Sequence, residues 1–188
     1  MNITSKQLYF IALLPPKNVQ EIATKIKQEF AEKYQSKAAL KSPPHITLQA
    51  PFEWDKHRVD LLEDCLREFT QVESEIPLIL NGFAAFKPRV IYMNVLKTPE
   101  LLTIQKNLTN YLESSLNIVD QRSKNRPFSP HLTVGFRDLT KDNFHQAWLK
   151  FEHQPIYFEF TIATLTLLIH NGHCWQISRE FDFKTTDI

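Results

Sequence analysis

Cysteine is nearly absent from this chain, with only Cys65 and Cys174 present. Two cysteines in an otherwise ordinary globular composition read as free, buried thiols in a reducing compartment rather than as a disulfide framework. Neither stands in a Cys-x-x-Cys pair, and no His-Glu-x-x-His occurs, so the local signatures of a zinc site are missing. Long apolar runs are missing as well. Residues 1–7 are polar overall, and the apolar run 8–14 stops at Pro15-Pro16. That is too short for a signal peptide with its cleavage site and far below the ~20 apolar residues of a membrane span. Cytoplasmic residence without membrane attachment is the resulting expectation. Charge of one sign is lacking too: 22 Lys and Arg face 21 Asp and Glu, for a formal net charge of +1. This leaves room for a local basic cleft on a neutral protein. No low-complexity tract or long linker interrupts the chain.

What is present suffices for a real hydrophobic core, since 43% of the 188 residues are hydrophobic, enough for one domain or two closely joined lobes. Residues 8–14 read as a buried strand. Pro16 then opens a helix with Val19, Ile22, Ile26, Phe30 and Tyr34 on one face. Residues 45–50 alternate as a strand, and Asp55 is placed to cap a helix with Val59, Leu62, Leu66 and Phe69 inward. Strands follow over 77–86 and 89–96, separated by a Lys-Pro turn. Thr98-Pro99 starts a third helix with Leu101, Ile104, Leu108, Tyr111 and Leu112 on its face. Residues 131–136 form a strand, and 141–151 a short helix with Phe144 and Trp148 inward. Two extended runs, 156–170 and 173–183, flank Asn171-Gly172. With only three glycines in the chain, one at this point marks a hairpin, and Asn-Gly suits a type I′ turn. The second half repeats the grammar of the first. An α+β protein with two related lobes follows, each a mostly antiparallel sheet backed by helices.

Two short stretches carry the chemistry. Pro43-Pro44-His45-Ile46-Thr47-Leu48 and Ser129-Pro130-His131-Leu132-Thr133-Val134 both read Pro-His-apolar-Thr-apolar, nearly half the chain apart. Each follows a loop, 36–44 or 120–130, that combines Pro, Ser and Lys or Arg. Side chains alternate along a strand, so His45 and Thr47 share one face while Ile46 and Leu48 enter the core. His131 and Thr133 stand in the same relation to Leu132 and Val134. One His-x-Thr on a strand is commonly structural; two in matching contexts point to a site. Two imidazoles near pKa ~6.5 supply a general base and a general acid. Two threonine hydroxyls can donate to non-bridging phosphate oxygens. Acid, base and anion binders then all come from side chains, and neither metal nor other cofactor is expected.

On these residues the chain resembles the 2H phosphoesterase superfamily, in its bacterial 2′-5′ RNA ligase (LigT-like) and cyclic phosphodiesterase branch. The resemblance spans nearly the whole chain, through residues 8–15, the two motifs, residues 86–92 and the closing strands 158–183. It implies a single domain over 1–188, bilobal and pseudo-twofold, with one motif per lobe and a central cleft. It implies hydrolysis of RNA or nucleotide 2′,3′-cyclic phosphates to 2′-phosphates, with a nucleotide or RNA 3′ end as partner and a monomeric protein. Another cyclic nucleotide such as ADP-ribose 1″,2″-cyclic phosphate, or a non-catalytic nucleotide-binding module, are the alternatives. The resemblance makes His45 the acid and His131 the base, although near-symmetry leaves the roles hard to assign. Relatives carry an arginine directly after the glycine that follows the second motif. Here that place is Phe136, and alternation is expected to turn Arg137 away from the cleft.

Several residues read either way. Lys124, Arg126 and Phe128 are suited to hold a phosphate and stack on a base, or to form a solvated loop with Phe128 in the core. Phe52 fits the cleft mouth or core packing, and Arg89 the cleft or the surface. Lys41 reads as a surface lysine. His170 and His173 read as exposed hairpin residues, and His57, His145 and His153 as solvent-facing.

Overall fold

The computed structural model describes residues 5–121 and 126–185. Its elements run β1 (Lys6–Leu13), α1 (Lys17–Lys33), β2 (Ile46–Asp55), α2 (Val59–Val72), β3 (Ile76–Phe86) and β4 (Val90–Val95). They continue with α3 (Pro99–Leu116), β5 (His131–Gly135), α4 (Lys141–Phe151), β6 (Tyr157–Ile162), β7 (Thr164–His170) and β8 (Trp175–Asp182). The strands form two four-stranded sheets, ordered β2-β1-β7-β8 and β5-β4-β3-β6. All strand pairings within them are antiparallel. In both sheets the strand of the His-x-Thr motif is an edge strand, paired with the strand that precedes it in sequence.

Local chemistry explains most boundaries. Thr98 caps α3, its side chain accepting from the Leu101 amide at 3.3 Å, and Asn117 closes the helix in the left-handed region at φ 55°. Thr140 caps α4 in the same way, accepting from the Asn143 amide. Asp55 accepts from the His57 amide, but it opens a 3-10 turn over Lys56–Arg58, and α2 begins one turn later. The inward face of α1 is Val19, Ala23, Ile26 and Phe30, with Lys27 among them. Ile22, read as inward, is 37% exposed.

The expected strand 156–170 is two strands in different sheets. β6 alternates between more and less exposed positions and adds to β3, whereas the mostly buried β7 enters the other sheet between β1 and β8. The sheets are therefore not the two halves of the chain: the first combines residues 6–55 with 164–182, and β3 and β4 join the His131 sheet. The hairpin at Asn171-Gly172 is present with a four-residue loop between the paired residues His170 and Trp175. Only Gly172 takes a positive φ there, 96°, so the turn is not type I′. The Asn171 side chain instead accepts from the His173 and Cys174 amides at 3.0 and 2.9 Å, an Asx turn that stabilises the longer loop.

One large apolar cluster runs through both sheets and all four α-helices. On β1, Tyr9, Ile11 and Leu13 face it, while Phe10, Ala12 and Leu14 form a smaller cluster on the opposite face with Leu168 and Trp175. That double burial is why residues 9–14 are apolar without alternation, while Leu8 is exposed. Both cysteines are free; Cys65 is buried, but Cys174, also read as buried, is only partly so.

Candidate active site

The approach to the first motif is Ser42-Pro43-Pro44, and His45 sits immediately before β2. Its Nδ1 donates to the Pro43 carbonyl at 2.7 Å. His131 opens β5 and repeats the bond, its Nδ1 donating to the Ser129 carbonyl at 2.7 Å. A carbonyl can only accept, so Nδ1 carries the hydrogen in both rings and Nε2 is the atom left for other partners. The alternation read from the sequence is observed. Ile46, Leu48, Leu132 and Val134 are buried, while His45, Thr47, His131 and Thr133 are half-buried. These last four side chains line one cavity of about 480 Å³.

Aromatic rings hold each imidazole. Phe10 lies 4.8 Å from the His45 ring and meets Trp175 edge-on at 4.6 Å. Phe86 approaches His131 edge-on at 5.1 Å, and Tyr92 lies 5.3 Å away. Removing water from an imidazole disfavours its charged form. Burial thus lowers the pKa of His45 to about 4, against the pull of the Pro43 carbonyl, with the charges of Lys27 and His131 lowering it further. Burial also lowers His131, opposed by the Ser129 carbonyl. His45 is the imidazole exposed to the added charge of Lys27.

Lys41 and Arg137 also line the cavity, with His170 and His173, and among the described residues no carboxylate does. Arg137 corrects the sequence reading. The strand ends at Gly135, and Arg137 takes φ 61°, so strand alternation does not extend to it. Its guanidinium lies 5.2 Å from the centre of the Phe136 ring, and both residues line the cavity. Asp138 holds this turn against the first loop, accepting from Ser36 Oγ at 2.9 Å and from the Lys37 and Ala38 amides at 2.7 and 3.0 Å. His170, at 4.9 Å from Trp175, is half-buried in the cavity wall, and Lys41, exposed as read, also lines the cavity. Phe10 and Trp175 gave no signal in the sequence, because they come from opposite ends of the chain and belong to no local motif.

A second cavity of about 500 Å³ shares Thr47 and His131 with the first. Arg126 and Phe128 line it, opposite Gln105, Lys106 and Asn110 of α3. Phe128 also packs partly against the core. Phe52 lines neither cavity; it packs beside the core, its ring 6.4 Å from Tyr9. Arg89 is exposed on the β3–β4 turn and also lines neither. Lys124 lies outside the described residues. Among the described residues, no three His, Cys, Asp or Glu side chains gather closely enough to hold a metal ion.

Comparison with known proteins places the chain in a family and a fold. The model of the 2'-5' RNA ligase superfamily matches residues 15–173. A protein of Geobacillus sp. (strain WCH70), named "Putative phosphoesterase", is 31% identical over 177 residues, covering 92% of this chain and 94% of the relative. Among solved structures, Escherichia coli LigT complexed with 3'-AMP superposes with a TM-score of 0.67 at 19% identity, over 95% of this chain and 99% of LigT. Complexes of the same LigT with NADP+ and with ATP match at TM-scores of 0.61 and 0.59. TT0787 of Thermus thermophilus gives 0.66 at 16% identity, over 96% of this chain and 100% of its own. At these identities the structural likeness establishes the fold.

Proposed function

The chain belongs to the 2'-5' RNA ligase superfamily, and from that premise we propose that it is a phosphoesterase that hydrolyses a cyclic phosphodiester, an RNA or nucleotide 2′,3′-cyclic phosphate, to the 2′-phosphate. The observation that carries the reading is the meeting of both His-x-Thr pairs on one cavity, each imidazole fixed through Nδ1 with Nε2 left free.

In the proposed reaction water attacks phosphorus, one imidazole takes the water proton at Nε2, and the other delivers a proton from Nε2 to the departing 3′ oxygen. The bond to that oxygen breaks as the bond to water forms, giving a 2′-phosphate and a 3′-hydroxyl. Thr47, Thr133 and Arg137 face the same space and supply donors for the non-bridging oxygens. The family resemblance makes His45 the acid and leaves His131 as the base. Burial leaves His45 neutral near pH 7 in the ligand-free protein, so the acid role requires that an anionic phosphate protonate it on binding. The aromatic walls from Phe10, Trp175, Phe86 and Phe136 fit a nucleobase. LigT, solved with 3'-AMP, ATP and NADP+, favours a nucleotide ligand.

The test is a short RNA ending in 2′,3′-cyclic phosphate, with identification of the product. Replacing either His45 or His131 by Ala is expected to cost roughly 10²–10⁴ in rate, and hydrolysis is expected to persist in EDTA. Full activity in both single variants would sink the reading. With sulfur in place of the leaving oxygen, the His45→Ala variant is expected to recover activity and the His131→Ala variant is not, because a thiolate leaves without an acid. Parallel assays with ADP-ribose 1″,2″-cyclic phosphate define the substrate. Tight nucleotide binding without turnover of any cyclic substrate would favour a binding module.

A further inference from the structure

Lys27 is buried to 2% exposure, and no other charged side chain among the described residues reaches the buried class. It occupies an inward position of α1, among Ala23, Ile26 and Phe30, where helical spacing calls for an apolar residue. Burial lowers its pKa to about 8, so it remains mostly protonated at pH 7. A buried ammonium without a carboxylate partner is costly, and such groups are retained where the structure uses them. Its Nζ donates to the Ser42 carbonyl at 3.0 Å.

That carbonyl belongs to an unusual segment. Pro43 and Pro44 have no N–H, so two successive residues lack the amide donors that usually tie a loop down. The carbonyls are gripped by side chains instead, Ser42 by Lys27 and Pro43 by His45. The second motif reproduces only half of this arrangement. His131 bonds to Ser129 in the same way, but the inward residues of α3 are Leu101, Ile104, Leu108 and Leu112, with no buried cation. The two motifs are thus alike in sequence and unlike in support.

We propose that Lys27 is a positioning residue: its buried ammonium holds the Ser42-Pro43-Pro44 approach to the first histidine, and its charge makes that imidazole unlike the second. The proposal rests on the two-histidine reading for its effect on rate, but not for its effect on His45 itself. Of the titratable groups around His45, Lys27 comes from α1, Lys41 from the preceding loop, His131 from the second motif, Arg137 from the turn after β5, and His170 and His173 from the β7–β8 hairpin. Among the described residues, none of these groups is a carboxylic acid.

The experiment compares Lys27→Met and Lys27→Gln with the unaltered chain, following the imidazole resonances of His45 and His131 by NMR titration in the ligand-free protein. In Lys27→Met the His45 titration moves to higher pH while that of His131 stays, and the melting temperature holds or rises because a buried charge is gone. The kcat for the cyclic phosphate falls by about tenfold or more with KM little changed, as expected when a reacting group is displaced. Lys27→Gln restores a donor for Ser42 without the charge, so it recovers kcat but keeps the shifted titration. A folded variant whose His45 titration is unmoved, or moves no more than that of His131, overturns the proposal. So does a lower melting temperature with both titrations unchanged, the mark of a merely structural lysine. The titration needs no substrate, so an inactive enzyme on cyclic phosphates would count against the proposed function without touching this test.

Discussion

At the scale of single residues, the hydroxyls of Thr47 and Thr133 separate catalysis from stability. Both side chains are half-buried and face the cavity, while their neighbours Ile46, Leu48, Leu132 and Val134 supply the packing. Valine has the same shape and no donor. Replacing either threonine by Val is therefore expected to cost about 10²–10³ in kcat, the loss typical of one transition-state donor, with the melting temperature nearly constant. An equal fall in melting temperature would assign the hydroxyls to the fold. The imidazoles couple the site to pH in the opposite way. His45 is lowered to about 4 in the fold, whereas the unfolded chain titrates near ~6.5. The unfolded state therefore binds more protons between those values, and stability rises with pH across that window. The contribution is complete above the unfolded value and is lost as pH falls toward 4. Thermal melts from pH 7 to pH 4.5 are expected to decline less steeply in His45→Asn than in the unaltered chain. The His-x-Thr residues were legible because strand alternation is a local rule. Arg137 was not, since a positive φ suspends that rule, and Lys27 was not, since a lysine on a helix ordinarily faces water.

At the scale of elements, α1 links the two motifs. One of its inward residues, Lys27, holds the approach to His45, and the next turn places Phe30 against the end of β5. Gly135 makes that contact possible: a Cβ there would stand 2.4 Å from Phe30 Cδ1. The Phe30 ring has no freedom to retreat, being fully buried with Tyr34 at 5.3 Å and Phe151 at 4.9 Å. Gly135→Ala is expected to destabilise by about 1–3 kcal/mol, the usual cost of overpacking, measured by denaturant unfolding. A neutral result would mean that α1 shifts freely on β5, which the coupling of the two motifs through this helix does not allow. The helices themselves were readable from spacing and caps; α4 has the bounds expected, Lys141–Phe151. The break between β6 and β7 was not readable, because an extended run carries no mark of which sheet each part joins. The turn type at Asn171-Gly172 was misread for a related reason. Asn171 bonds two amides through its side chain and so serves a longer loop than the dipeptide suggests.

At the scale of the molecule, a formal net charge of +1 conceals a local excess of one sign. Several carboxylates form ion pairs away from the first cavity, as in Lys6–Glu53, Lys33–Glu29, Lys150–Glu29, Arg67–Asp64 and Arg179–Glu63, and Glu113 and Asp120 line the second. Among the described residues, the wall of the first cavity holds Lys41, Arg137 and four histidines without an acid. A chain folded as two separate halves would not gather this set. Lys41 comes from the first-motif loop, Arg137 from the end of β5 and His170 from the end of β7, which the crossover after β6 returns to the first sheet. Composition alone could show only that such a cleft was permitted. A cleft of one sign concentrates an anionic substrate, and salt screens it over ~10 Å at 0.1 M. KM for a cyclic phosphate is therefore expected to rise between low and physiological ionic strength while kcat holds, because the reacting groups act at contact distance and are screened little. Arg137→Gln is expected to raise KM at low salt and flatten its salt dependence. A KM independent of salt in the unaltered chain would mean that substrate is held by stacking on the aromatic walls rather than drawn in by charge.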